Sequence, residues 1–318
     1  MNKHLFDIAV VSTCLCATIM TAGCNGIFSS VGSWYKKFNW KAEDYFDDPK
    51  VIALCKAIEA RDLHEIDRLV ADGADVNAKG KGNMTPLLWA YPENKPEVFK
   101  RILEHGADPN VEVTSDFNTR MQGILPGDSV LHLAAKTWFP NYFKYVIQHG
   151  GDPNLISGNG LSRHPPLVTV ITGGCPDKKE AIQLLIDAGA DLDYVGSTER
   201  TALSYAASWG SQYDLVLQLL NAGASFNVCK NDGDTVVHFI LRDSERIYPL
   251  LTPEQKNDLT EILKWLEANG ADLEGARRDR EIEVKGGKLS PERIAELKKR
   301  YADELAAKQA AKESEALQ

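Results

Sequence analysis

The chain has 318 residues, of which 43% are hydrophobic, 25% charged and 8% aromatic, and its 45 acidic and 36 basic side chains give a formal net charge of −9. These values suit a soluble globular protein and exclude a polytopic membrane protein, a collagen and a largely disordered chain. The acidic balance also argues against nonspecific nucleic-acid binding, which needs a surplus of Lys and Arg against the phosphates.

The first segment reads as an address. Residues 1–7 carry Lys3 and Asp7, and residues 8–23 hold no charge. A basic start, an apolar stretch and small residues before a cut site make a secretory signal. The uncharged stretch falls short of the roughly 20 residues that span a bilayer as a helix. Thr21-Ala22-Gly23-Cys24 resembles the bacterial lipobox, in which small residues precede a Cys that is lipidated and begins the mature chain. That resemblance implies a signal peptide over 1–23, lipid on Cys24 and stable anchoring through two or three acyl chains. Thr21, where the pattern prefers Leu, and Asp7, close to the apolar run, depart from it. Plain secretion and an uncleaved anchor are the alternatives. Asn25 is not the Asp that resembles an inner-membrane retention signal, so the outer membrane is expected over the inner.

Residues 24–47, with Trp34, Tyr35, Phe38, Trp40, Tyr45 and Phe46, read as a lipidated tether whose second half packs over the first of a series of repeated units. In those units one string recurs: Gly73-Ala-Asp-Val-Asn77, Gly106-Ala-Asp-Pro-Asn110, Gly150-Gly-Asp-Pro-Asn154, Gly189-Ala-Asp-Leu-Asp193, Gly223-Ala-Ser-Phe-Asn227 and Gly270-Ala-Asp-Leu-Glu274. The glycines are 33, 44, 39, 34 and 47 residues apart. Before each lies an apolar triple at helical spacing, such as Phe99/Ile102/Leu103, which marks a buried helix face. The glycine supplies a left-handed helix end, and the Asp and Asn suit a tight turn. In the sixth unit Glu267 breaks the triple, as an end unit facing water would.

A second string opens the units: Thr85-Pro86-Leu87-Leu88-Trp89-Ala90, Ser129-Val130-Leu131-His132-Leu133-Ala134-Ala135, Thr201-Ala202-Leu203-Ser204-Tyr205-Ala206-Ala207 and Thr235-Val236-Val237-His238. A hydroxyl cap, Pro at the first helical position and small residues at a close helix contact each have a physical reason. Together the two strings resemble the ankyrin repeat family, over residues 48–274. The fourth unit departs with Pro165-Pro166-Leu167, and the first lacks the opening string, as end units of such arrays do. The resemblance implies an all-α ankyrin-repeat solenoid of about six helix-pair repeats with finger loops. Insertions lengthen one finger at 111–127 and the sixth helix connection at 243–257. Residues 275–289 read as a charged linker. Ser290-Pro291-Glu292 opens a C-terminal helix within 290–318, with a narrow stripe of Ile294, Leu297, Tyr301 and Leu305. It either docks on the last repeat or makes a short coiled-coil contact with a partner.

Catalytic and metal signatures are missing from the text: no HExxH, GxSxG, phosphate-binding loop or paired Cys occurs. Cys14 and Cys16 leave with the leader, Cys24 takes lipid, and Cys55, Cys175 and Cys229 read as buried thiols, neither a disulfide framework nor a zinc site. His132 and His238 occupy the slot in which, by the resemblance, a His bonds within and between repeats, and His105 and His149 suit helix ends. No cofactor, metal or small-molecule substrate is expected. Family members typically bind partners through finger tips and the concave face of the first helices. The candidate contact residues are therefore the finger cations Lys79, Lys81, Arg120, Arg163 and Arg200, with Lys230 in the same row, and Trp138 and Trp209 near the ends of first helices. Glu112, Asp116, Glu199 and Asp232 are interleaved among them.

The expectation is a non-enzymatic, protein-binding scaffold, lipid-anchored in a bacterial envelope with its repeats in the periplasm, in one version an inhibitor or immunity protein. The alternative is an envelope-organising lipoprotein acting through the C-terminal helix. A hydrolase using carboxylates outside any motif is a third reading, and it would need a deep pocket.

Overall fold

The computed structural model describes residues 35–36, 39–117, 124–137, 139, 141–158, 163–208 and 212–316, so the leader, the tether up to residue 34, Cys24, Arg120, Trp138 and Trp209 lie outside the described residues. Six helix pairs follow one another. They are α1 (Pro49–Ala60) with α2 (Leu63–Ala71), α3 (Pro86–Ala90) with α4 (Pro96–Glu104), and α5 (Val130–Lys136) with α6 (Tyr142–Gln148). Then come α7 (Pro166–Thr172) with α8 (Lys178–Asp187), α9 (Ala202–Ser208) with α10 (Tyr213–Asn221), and α11 (Val236–Ile247) with α12 (Pro253–Ala268). Two more helices end the chain, α13 (Leu273–Val284) and α14 (Pro291–Ala316). The first helices of the pairs form one layer, the second helices the other, and long finger loops join each pair to the next.

Local sequence explains where the helices begin. Thr85 and Ser129 accept the backbone N–H three residues on, Asp62, Asp177, Thr252 and Asp272 cap in the same way, and Asp48 accepts the Lys50 N–H two residues on. Pro occupies the first turn of α1, α3, α4, α7 and α12, where its missing N–H costs nothing. At the far end of each pair the glycine of the loop string takes a left-handed φ of 81–92°.

The apolar faces at three- and four-residue spacing meet between the layers as one continuous core, from Leu54 and Ile66 to Ile262 and Leu266. Between repeats 2 and 3 the stack relies on aromatics. There Phe99 lies flat on Tyr142 with centroids 4.0 Å apart, and the buried Tyr91 hydroxyl donates to the Leu133 carbonyl at 2.9 Å. At the N-terminal end Tyr35, Trp40, Ala42 and Phe46 are buried over Trp89 and the first pair, as expected for the second half of the tether.

The charged stretch after residue 274 is not a linker. It folds as α13, a seventh first-layer helix packed on α11, with Leu273 and Ala276 in the core. Its charges hid it because they are used internally: buried Asp279 pairs with Arg293 at 2.8 Å, and Arg280 with Glu283 at 2.9 Å. The insertion at 243–257 is likewise largely helical, an extension of α11, a single 3-10 turn at Tyr248–Leu250, and the start of α12. The C-terminal helix docks. It runs back from α13 across the loop edge of repeats 6, 5 and 4, with Leu297 buried and Ile294 and Tyr301 half-buried. Among the described residues no helix is long and apolar enough to cross a membrane.

Candidate functional site

The fingers are braced against one another. Gly80 donates to the Met84 carbonyl to close the first finger, and Thr114 of the second donates to the Gly82 carbonyl of the first at 3.0 Å. The long second finger pairs with itself as a narrow hairpin, Val113 with Asp128 and Phe117 with Ile124, and buries Phe117 against Trp40 and Tyr45. Gly158 of the third finger donates to the Gly127 carbonyl at 2.7 Å. A Cβ on Gly127, whose φ is +90°, would stand 2.1 Å from the Gly158 oxygen, so glycine is required there. Asn231 of the fifth finger donates through its backbone N–H to Glu199 of the fourth at 3.1 Å. These bonds turn the loops into a palisade beside the first-layer helices.

Within that palisade the expected cations divide. Lys79 and Lys81 are exposed on the first finger. Arg163 is exposed on the third, 3.2 Å from Glu112 of the second, and donates to the Ile156 carbonyl at 2.6 Å. Arg200 is not a projecting tip. Its guanidinium lies 5.5 Å from the Tyr205 ring centroid and 5.0 Å from that of Phe239, and it donates to Ser208 Oγ at 3.0 Å, so it clamps the base of the fourth finger onto α9 and α11. Lys230 is half-buried and paired with Asp232 at 2.8 Å. The described part of the row is therefore a mixed-charge surface with its free cations at the N-terminal end, on Lys79 and Lys81, rather than a uniform basic stripe.

His132, His238, His105 and His149 serve the packing of the repeats. His132 Nε2 lies 2.9 Å from the His164 carbonyl oxygen of the next repeat, while Nδ1 faces Ser129 Oγ at 3.0 Å; burial pulls its pKa down to about 4 and keeps the ring neutral. His238 repeats the arrangement with a carboxylate in place of the carbonyl: Nδ1 is 2.9 Å from Thr235 Oγ1, and Nε2 is 3.3 Å from Asp279 Oδ2. Hydroxyl, imidazole and carboxylate in that order have the composition of a hydrolytic triad, but Nδ1 already accepts the Thr235 backbone N–H at 3.2 Å. All three residues are buried, so no substrate reaches the hydroxyl. His105 joins Arg101 on Asp67, at 2.7 and 2.5 Å, tying α2 to α4; these two contacts hold the Asp67 carboxyl below the usual range. His149 Nδ1 meets the Tyr145 carbonyl oxygen at 2.7 Å.

Among the described residues no three His, Cys, Asp or Glu side chains gather as metal donors. A shallow depression of about 340 Å³ lies between α12 and α13, where a seventh second-layer helix would sit, and is lined by Leu263, Lys264, Glu267 and Arg277. Cys55 and Cys175 are buried. Cys229 is half-buried, against the expectation for all three thiols, and burial pushes it up to about 11, where the reactive thiolate is scarce.

The loop edge carries a ladder that sequence reasoning missed. Asn77 Nδ2 donates to the Gly106 carbonyl and its Oδ1 accepts the Asp108 N–H; Asn110 does the same with Gly150 and Asp152, and Asn154 with Gly189 and Asp191, all within 2.7–3.1 Å. Each Asn thus bonds forward into the next unit with both ends of its amide. The signal was in the recurrence of Asn at the fifth place of the loop string, which turn chemistry alone had explained.

Residues 131–232 match a model of ankyrin repeats in three copies, and residues 82–112 match a model of the ankyrin repeat. The mitochondrial disaggregase of Homo sapiens is 38% identical over 78 residues, 24% of this chain and 11% of that protein. Its counterpart in Bos taurus is 34% identical over 91 residues, 27% of this chain and 13% of that protein. The chain therefore spans 11–13% of the length of these curated relatives. The crystal structure of an ankyrin repeat domain from Acinetobacter baumannii AYE superposes with a TM-score of 0.50 at 23% identity, covering 65% of this chain and 95% of that one, a likeness of fold. With helix pairs, fingers and both recurrent strings in place, residues 82–112 and 131–232 are ankyrin repeats, and the described residues fold as an all-α ankyrin-repeat solenoid.

Proposed function

We propose that this protein is a non-enzymatic, protein-binding scaffold, lipid-anchored through Cys24 in a bacterial envelope, with its repeats in the periplasm and the outer membrane as its site. The palisade of cross-braced fingers carries the reading. A binding surface held by Gly82–Thr114, Gly127–Gly158 and Glu199–Asn231 contacts has little backbone freedom left to lose when a partner docks. On it Lys79, Lys81 and Arg163 are exposed, with Arg120, Trp138 and Trp209 as further contact candidates. Inhibition of an envelope-targeted toxin or enzyme, as an immunity protein, is the concrete form of this scaffold role. The rival role through the C-terminal helix has less support, because the stripe of that helix up to Tyr301 is spent on the chain's own repeats.

The test is affinity capture from envelope extract with the full chain as bait. A parallel bait carries Lys79→Glu, Lys81→Glu, Arg163→Glu, Trp138→Ala and Trp209→Ala; Arg200 is left intact because it holds a finger base. One protein recovered in stoichiometric amount with the first bait and lost with the second is the expected result. Equal recovery on both, or none on either, would sink the surface. Anchoring is tested separately by Cys24→Ser, which is expected to move the chain from the membrane to the soluble fraction.

A further inference from the structure

Departures from the loop string cluster at one place. Asp193 stands where the preceding rungs carry Asn77, Asn110 and Asn154, and Ser225 stands where the other five strings carry Asp. A carboxylate accepts but cannot donate. Asp193 Oδ1 takes the Ser225 backbone N–H at 2.6 Å, yet it can offer nothing to the Gly223 carbonyl, which an Asn would reach. Lys308 of α14 supplies the donor, with Nζ 2.8 Å from Asp193 Oδ2 and 2.9 Å from the Gly223 oxygen. One turn earlier, Glu304 Oε2 accepts from Ser225 Oγ and from Asn227 Nδ2, both at 2.8 Å. Asn227 has turned from the next unit to the helix. Burial pulls the Lys308 ammonium down, but Asp193 and Glu304 outweigh it and hold the ammonium above its usual range.

The two halves of α14 are held differently. The first half is fixed by Arg293 on buried Asp279 and by buried Leu297. The second half has little apolar cover, since Tyr301 is half-buried and Leu305 is 46% exposed, and it rests on the Glu304 and Lys308 contacts. Partly exposed ion pairs are individually weak and are screened by salt. A linker with glycines at 286 and 287, the first at φ +79°, joins α14 to α13.

We propose that the loop edge of repeats 4–6 is a helix-docking surface of fixed register, closed in cis by the distal half of α14, and that the same segment of a second copy of this chain docks there when that latch opens. The register is set by an acceptor at 304 and a donor at 308, one helical turn apart, facing Ser225/Asn227 and Asp193/Gly223. The second copy is the occupant because it presents the one segment already shown to match those groups. Lys298 of the first half of α14 donates to Asn231 Oδ1 of the fifth finger at 3.0 Å, but the groups that set this register, Asp193, Gly223, Ser225 and Asn227, are not among the contact residues of the scaffold reading above.

Amide exchange of the intact chain, read by mass spectrometry, tests the latch. In Lys308→Glu, exchange over 301–316 is expected to rise at least tenfold while 36–284 is unchanged. The paired reversal Asp193→Lys with Lys308→Asp should return it to within threefold of the unaltered chain. A labelled peptide of residues 298–316 should bind the Lys308→Glu chain at least tenfold tighter than the unaltered chain, whose own helix excludes it. Unchanged exchange in Lys308→Glu, or no recovery on reversal, overturns the latch. Equal peptide binding to both chains, or no binding to either, overturns the docking surface.

Discussion

Along the first four repeats the loop edge closes itself. Asn77, Asn110 and Asn154 each donate to a glycine carbonyl and accept an N–H of the following unit, and no other element is needed. Along the last three repeats Asp193, Ser225 and Asn227 leave that scheme incomplete, and Lys308 and Glu304 of a helix 77–115 residues further on complete it. The same backbone demand is thus met locally in one region and by a distant segment in the other. Where a repeat loses the residue that closes it, the departure marks the place where something else must sit.

The contrast between the two regions can be broken most strongly through the core that both share. Phe99→Ala, removing a fully buried ring stacked on Tyr142, should cost about 3–5 kcal/mol in urea unfolding. Since repeats depend on their neighbours, the loss should uncouple repeats 1 and 2 from the rest, seen as a second transition rather than a shift of one.

Acid is the next lever. His132 sits near pKa 4 when folded and near 6.5 when unfolded, with burial as the main cause. The unfolded chain takes up a proton that the folded chain refuses, so the contribution is present above pH 6.5 and lost as pH falls toward 4. The loss between pH 7 and pH 5 should be about 2 kcal/mol. In His132→Gln the urea midpoint should change less over that interval than in the unaltered chain; an equal slope would assign the acid sensitivity to other groups.

The ladder itself should weigh less. Asn110→Ala removes two inter-repeat hydrogen bonds on a partly exposed edge and should lower stability by about 1–2 kcal/mol in the same urea assay. Asp193→Asn should be the smallest perturbation, within about 0.5 kcal/mol, because the amide can make the forward bonds that Asn154 makes. It would sharpen the contrast most, since the rung would become self-closing and Lys308 would lose its carboxylate. Faster amide exchange over 301–316 without global destabilisation is the expected readout, and a large loss of stability would show that the rung does not follow the Asn geometry.

Much of the fold was legible because its causes are local. Thr85, Ser129 and the prolines mark helix starts, Gly73 to Gly270 mark ends, and the apolar triples name the buried face, all within a few residues of one another. The C-terminal helix was legible from Ser290-Pro291, and its docking was one of two readings. What failed was α13, read as linker because Arg277, Arg278, Asp279 and Arg280 suppress any apolar stripe; the partners that justify burying Asp279 lie on other helices. Arg200 failed for a similar reason, since its place on a finger is local but the rings of Tyr205 and Phe239 that draw it inward belong to two repeats.

The sequence by itself determined the repeat, its period, the helix caps, the glycine turns and the absence of a metal or nucleophile motif, because each is set by backbone geometry or by chemistry within one unit. Only the tertiary structure decided which charges are spent. It paired Asp279 with Arg293, closed the Asp193 rung with Lys308, and left Lys79 and Lys81 exposed at one end of the palisade. A hydrogen bond or an ion pair depends on atoms meeting within about 3 Å, and for residues up to 115 positions apart that meeting is a property of the stacked solenoid, not of any stretch of its text.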